Sequence, residues 1–273
     1  MQSINLVLLW HMHQPDYRNY QTGEFTLPWV YLHAIKDYTD MAHHLETHPR
    51  VGAVVNFVPV LLDQLEDYTE QFALGQIRDP LLRLLAAPNL EQISASDRLR
   101  VFNSCFRSNH TNMIQPYPAY KRLLDLHETL RGHGEAELAY LSGQYLADLL
   151  VWYHLVWLGY SVRCSSDIIR QLIDKARGFT LNDRRALLDI IGKAIENIIP
   201  RYRQLAARQQ VELSFTPYAH PMLPLLLDFT VAKESMPEVT LPTTAAYPFG
   251  YDRARWHIEQ GLQNFEKHFG IRP

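Results

Sequence analysis

Cysteine is nearly absent from this sequence: its 273 residues include two, Cys105 and Cys164. Two cysteines make no disulfide framework, and the count leans towards a reducing compartment. Long apolar runs are missing as well. The longest uncharged apolar stretch, Leu149 to Val162, is 14 residues and contains His154. That is short of the roughly 18–20 residues a membrane span takes. No basic region precedes the apolar run Leu6 to Trp10, which is too short for the core of a signal peptide. The expected setting is soluble and cytoplasmic, with no membrane partner. Neither charge sign dominates: the net charge is −3, which leaves no electrostatic footprint for nucleic acid. The 12 glycines form no phosphate loop and no dinucleotide fingerprint, and CxxC and G-x-S-x-G are absent too. No cofactor is expected, and no residue is assigned to a metal. What the chain does have is 47% hydrophobic residues, enough for a buried core, so global disorder is excluded.

Three segments read as strands. Ile4 to Met12 is apolar and partly β-branched, as a buried strand of a parallel sheet would be. Val51 to Phe57 reads the same way. Val211 to Thr216 alternates strictly, with Val211, Leu213 and Phe215 on one side and Glu212, Ser214 and Thr216 on the other. A weaker fourth candidate is Val239 to Leu241, cut short by Pro242. Helices are predicted from Pro28 to His48, Asp97 to Phe106, Tyr120 to Arg131, Glu135 to Leu158, Thr180 to Ala207 and Asp252 to Phe269. Thr180 and Asp183 have the spacing of a capping box, Pro200 should kink its helix, and Gly270 suits a left-handed helix terminus. The order is α/β alternation with a long helical insertion, roughly 61–209, between strands two and three. Right-handed crossovers then give a parallel sheet that reads as part of a barrel. The whole of 1–273 reads as part of one domain. A sheet of so few strands leaves unpaired edges, which invite self-association.

The sharpest local feature is His11-Met12-His13-Gln14-Pro15. Strand periodicity puts His11 and His13 on one face, above Asn5, Val7 and Leu9, at the end where barrels carry their active sites. Pro15 turns the chain outward. Two imidazoles at a strand tip can bind a metal, donate to a sugar hydroxyl or shuttle protons; the plainer reading is two half-buried rings satisfied by carbonyls. Glu212 lies on the polar face of the third strand, and His220 follows eight residues on, past Pro217. A carboxylate inside a covered sheet needs a partner or a ligand. Trp10, Trp29, Trp152, Tyr153 and Trp157 are possible stacking platforms for sugar C–H faces, although Trp152 and Trp157 sit on an apolar helix and read first as core. Asn56 and Asn109-His110 are polar residues at possible strand or loop ends and nothing more.

With these residues in view, the sequence resembles glycoside hydrolase family 57. His13-Gln14-Pro15 is similar to that family's first signature, and Gln210-Val211-Glu212 followed by His220-Pro221 to its second. Between them, Leu27-Pro28-Trp29, Leu32 to Tyr38, Asn56 to Leu61 and Pro116 to Tyr120 resemble connecting segments of family members, in order and with spacing kept. The resemblance implies an incomplete (β/α)7 barrel and hydrolysis or transfer of α-glycosidic bonds with retention. It also implies an α-glucan or oligosaccharide partner, with His13, Glu212 and His220 lining the subsite; His11, from its place at the strand tip, and Trp10, as a stacking platform, join them as candidate substrate-binding residues. The family's nucleophile follows strand four and its acid/base follows strand seven. No Asp or Glu here matches those positions, so the expectation is a fragment that is inactive alone and has no assigned catalytic residue.

Two other readings stay open on the residues. A His11-x-His13 pair at the end of strand one is also how amidohydrolase-type barrels begin a metal site, with His220 as a further ligand. A non-catalytic carbohydrate-binding protein would keep the sugar-lining side chains without the carboxylates.

Overall fold

The computed structural model describes residues 4, 6–130, 138–244 and 246–273. Its sheet has three parallel strands: β1 (Leu9–Met12), β2 (Ala53–Phe57) and β3 (Val211–Phe215), in the order β1-β2-β3. The register sets Leu9, Val54 and Glu212 in one row and His11, Asn56 and Ser214 in the next. β1 is shorter than its apolar run. Leu8 still accepts from the Val54 N–H at 2.8 Å, but the chain ahead of Ala53 turns away, so earlier residues have nothing to pair with. Leu6 and Val7 are accordingly 82% and 74% exposed. Asn5 lies outside the described residues. Val239 to Leu241 forms no strand; Pro237 and Pro242 bracket it and deny it ladder donors.

The described residues divide into two compact units. The sheet unit comprises 1–16, 45–66 and 199–273. One face of its sheet is buried. There Phe57 meets the rings of Tyr202 and Phe269 at 5.4 and 5.0 Å, and Phe215 meets Phe265 at 5.7 Å. Gly261 lets the Gly250–Phe269 helix approach β3 closely, since a methyl group there would come within 2.9 Å of the Phe215 ring. Gln210, just ahead of β3, lays its side-chain amide against the carbonyls of Leu45, His48 and Val51 at 2.6, 3.2 and 3.0 Å. That contact holds the turn leading into β2.

The helical unit comprises 17–44 and 67–198. It takes most of the expected insertion and adds an earlier segment. Its centre is the Gly143–Trp157 helix, buried on every side from Tyr145 onward. A helix apolar all round belongs in a core; two of its polar side chains, His154 and Asp148, find partners, while the Tyr153 hydroxyl and the Trp157 Nε1 are buried without one. His154 donates from Nδ1 to the Leu150 carbonyl at 2.7 Å and accepts at Nε2 from the Tyr31 hydroxyl at 3.0 Å. Asp148 accepts the N–H groups of Gly178 and Phe179 at 3.0 and 2.9 Å. Trp152, Tyr153 and Trp157 are buried here as core.

Several predicted helices are shorter or interrupted. The start expected at Glu135 lies outside the described residues; the helix begins at Gly143, capped by Ser142. The helix expected from Pro28 runs as Trp29–His33, a π-helical turn Ala34–Tyr38, then Thr39–Thr47. Thr39 turns its hydroxyl back to the Ala34 carbonyl at 2.8 Å, satisfying a carbonyl there. The long helix after Thr180 is two, Leu181–Glu196 and Ile198–Ala207. Pro200 is the reason: its ring clashes with the carbonyl four residues back, at Glu196, where the first helix ends. The capping box of Thr180 and Asp183 forms, and Gly270 ends the last helix with φ 70°. Among the described residues no helix is long and apolar enough to cross a membrane.

Candidate functional site

The second face of the sheet carries Leu9, His11, Val54, Asn56, Glu212 and Ser214. It is the open face: Leu9, His11 and Glu212 are exposed. Asn56 is the exception, 8% exposed within an otherwise apolar strand. Its side chain joins all three strands' ends. The Asn56 Oδ1 accepts from His13 Nε2 at 2.7 Å, and its Nδ2 donates to the Ser214 hydroxyl at 2.9 Å. An amide oxygen only accepts, so the His13 proton sits on Nε2 and the neutral ring offers Nδ1 as an acceptor.

His220 reaches the same end from the loop after β3. The Pro217–His220 turn closes with the His220 N–H on the Pro217 carbonyl at 2.7 Å, and His220 has φ 53°. A non-glycine residue in the left-handed region is uncommon, though histidine enters it more readily than most, and surrounding contacts hold it there. Those contacts exist. The Tyr218 N–H donates to the His257 carbonyl at 2.8 Å, its carbonyl accepts from Val60 at 3.1 Å, and its hydroxyl donates to Asp63 at 2.6 Å.

The result is three imidazoles in contact. The rings of His13 and His220 are 4.6 Å apart, and those of His11 and His13 are 5.2 Å apart. Burial lowers the His13 pKa below the ordinary 6.5; the Asn56 hydrogen bond opposes this, while the charges of His220 and His11 add to it. Neutral His13 is therefore the favoured form at pH 7. Beside His220 lies a cavity of about 640 Å³ with Pro217, Met222, Leu225 and Met236 in its walls. The polar ring of His220 at the lip of an apolar hollow suits a ligand with hydroxyls on its edge and C–H groups on its face.

The five sequence-chosen residues are thus only partly united. His11, His13 and His220 converge. Glu212 shares their face but sits in the Leu9 row, four residues below His13, or about 13 Å along the strand. Trp10 alternates with His11 and points to the opposite, packed face, in a row with Val55 and Leu213. Asn56 and Ser214 are the residues that sequence reasoning passed over. An amide inside an apolar run, at the C-terminal end of a strand, was the signal for Asn56. The three imidazoles do not form a group whose ligand atoms lie within 4.8 Å of one another; among the described residues Asp63, Glu66 and His268 do.

Comparison with solved structures gives matches covering 98% of this chain. One is a family 57 branching enzyme from Thermococcus kodakaraensis, at 17% identity and a TM-score of 0.40, with 31% of that chain covered. A second is the α-amylase AmyC from Thermotoga maritima, at 12% identity and 0.44, with 33% covered. A third is a branching enzyme of the same type from Pyrococcus horikoshii, at 15% identity and 0.39, with 33% covered. The chain therefore spans about a third of the length of the structures it matches. No curated protein matches. The sequence profile of glycosyl hydrolase family 57 matches residues 7–273, almost the whole chain, and the chain belongs to that family.

Proposed function

We propose that this chain forms part of the substrate cleft of an α-glucan-active glycoside hydrolase or transglycosylase, and that His11, His13 and His220 hold sugar hydroxyls there. One observation carries the reading: two separated segments bring the His13 and His220 rings to 4.6 Å, with His13 locked in a single tautomer by Asn56. Fixed donors and acceptors orient a sugar without losing rotamer freedom on binding. Glu212 lines the same face further down and would meet a neighbouring sugar unit. Trp10 is left out of the set, because it lies on the packed face.

Retaining cleavage takes two carboxyl groups about 5–5.5 Å apart. Glu212 is the one carboxylate in the proposed site, so the expected behaviour of this chain by itself is binding without turnover. Calorimetric titration with maltooligosaccharides tests this. Binding should weaken about tenfold or more in His13→Ala and in His220→Ala, the loss of one good hydrogen bond. Unchanged binding in the double variant would sink the assignment. Robust hydrolysis of amylose by the purified chain would overturn the expectation of inactivity while leaving the binding site intact. The metal-dependent reading is disfavoured by the spacing of the imidazole nitrogens.

A further inference from the structure

A second polar convergence lies elsewhere in the sheet unit. Asp63 and Glu66 stand one turn apart on the Pro59–Leu74 helix, and His268 is in the last turn of the Gly250–Phe269 helix. One ligand atom from each lies within 4.8 Å of the other two. His268 is 4% exposed. Its Nδ1 donates to the Asn264 carbonyl at 2.9 Å. A carbonyl only accepts, so the proton is on Nδ1 and the neutral ring presents Nε2 as a lone pair. That Nε2 is buried and makes no hydrogen bond, yet it faces Glu66 Oε2 at 3.5 Å. A lone pair aimed at a carboxylate oxygen is unfavourable unless a cation lies between them. Donation of one ring N–H to a backbone carbonyl, leaving the other nitrogen free, is how metal-bound histidines are oriented. Glu66 is part-exposed and offers a carboxylate oxygen beside that nitrogen.

We propose that Asp63, Glu66 and His268 bind a divalent first-row transition ion, with Zn²⁺ as the representative. One imidazole and two carboxylates suit such an ion better than Ca²⁺ or Mg²⁺, which favour all-oxygen shells. The two carboxylates neutralise its charge. At present the Lys267 ammonium bonds Glu66, while the Tyr218 hydroxyl and the Asn264 amide bond Asp63. The ion must displace Lys267, an exposed and flexible side chain, and would then staple the helix after β2 to the last helix. The competing way to satisfy Nε2 is a second proton, which makes His268 and Glu66 a plain ion pair.

Equilibrium dialysis of the purified chain against Zn²⁺, with the metal counted by atomic emission, separates the two. The expected result is a single retained equivalent. Its affinity should fall at least about tenfold in His268→Ala and in Glu66→Gln. It should persist when His11, His13 and His220 are all replaced by Ala, and tighten in Lys267→Ala, where the competing ammonium is gone. Zn²⁺ should also raise the melting temperature of the parent chain but not of Glu66→Gln. Should His268→Ala fail to fold, Glu66→Gln, which keeps the side-chain volume, gives the same reading. No uptake by the parent chain, or uptake lost with the three cluster histidines and kept in Glu66→Gln, would overturn the proposal and leave the ion pair.

Discussion

His13 is governed by opposing influences whose balance can be measured. Burial lowers its pKa, Asn56 pulls it up, and the neighbouring rings of His220 and His11 push it down again. Replacing His220 with Gln keeps the bulk of the side chain but removes a titrating neighbour. The His13 pKa should then rise towards 6.5, read from the ring carbon–proton correlation across a pH series by NMR. A fall, or no movement, would mean that the two rings do not touch in solution. At this scale the imidazoles were legible in the sequence, because strand periodicity and Pro15 place His11 and His13 at a tip, and eight residues suffice to bring His220 back. Asn56 was not. A lone amide in Val54-Val55-Asn56-Phe57 gains its meaning from register, which sets it in a row with His11 and Ser214, and register is a property of three segments together.

Helix ends were more legible than helix middles. The capping box at Thr180 and the left-handed Gly270 each depend on a few adjacent residues and formed as expected. The break at Asn197 follows from Pro200, whose effect falls one turn upstream of its own position. The π-helical turn Ala34–Tyr38 has no local signal of that kind. Gly192 illustrates what a single helix cannot reveal. Inside Leu181–Glu196 an Ala there should gain about 1 kcal/mol of helix propensity. A methyl group would, however, sit 2.6 Å from the Phe72 ring, and such overpacking costs about 1–3 kcal/mol. Gly192→Ala is therefore expected to lower the urea midpoint rather than raise it. A clear rise would mean that the Phe72 ring moves aside freely.

At the scale of the whole chain, two buried groups push stability against pH in opposite directions. In the helical unit, burial raises the Asp79 pKa to about 6 and lowers that of His154 to about 4. Asp79 binds its proton more readily folded than unfolded, so its contribution to stability grows as pH falls from about 6 towards 3.8. His154 does the reverse: stability is lost as pH falls from 6.5 towards about 4. Each effect amounts to about 3 kcal/mol, and over the shared window they oppose each other. Asp79→Asn keeps an oxygen for the Leu81 and Leu82 N–H groups and removes one side of the balance. Its urea midpoint should fall more steeply than that of the parent between pH 6.5 and 4; parallel curves would contradict this. The parallel sheet was readable from three strand-like runs, but the order of strands and the division into two units were not, because they depend on contacts between segments far apart in the chain. β1 and β3 each lack a neighbour on one side among the described residues, and exposed Leu6 and Val7 precede β1. Concentration-dependent dimers are expected in sedimentation, weakened by replacing Leu6 and Val7 with Lys; a strictly monomeric parent at high concentration would rule them out. Finally, the Gln210 amide has a consequence for the order of assembly. During synthesis Val51 emerges 159 residues before the side chain that will grip its carbonyl. Until then the Val51 carbonyl has only water for a partner, so the latch on β2 is closed by the arrival of the third strand and not by the turn that precedes β2.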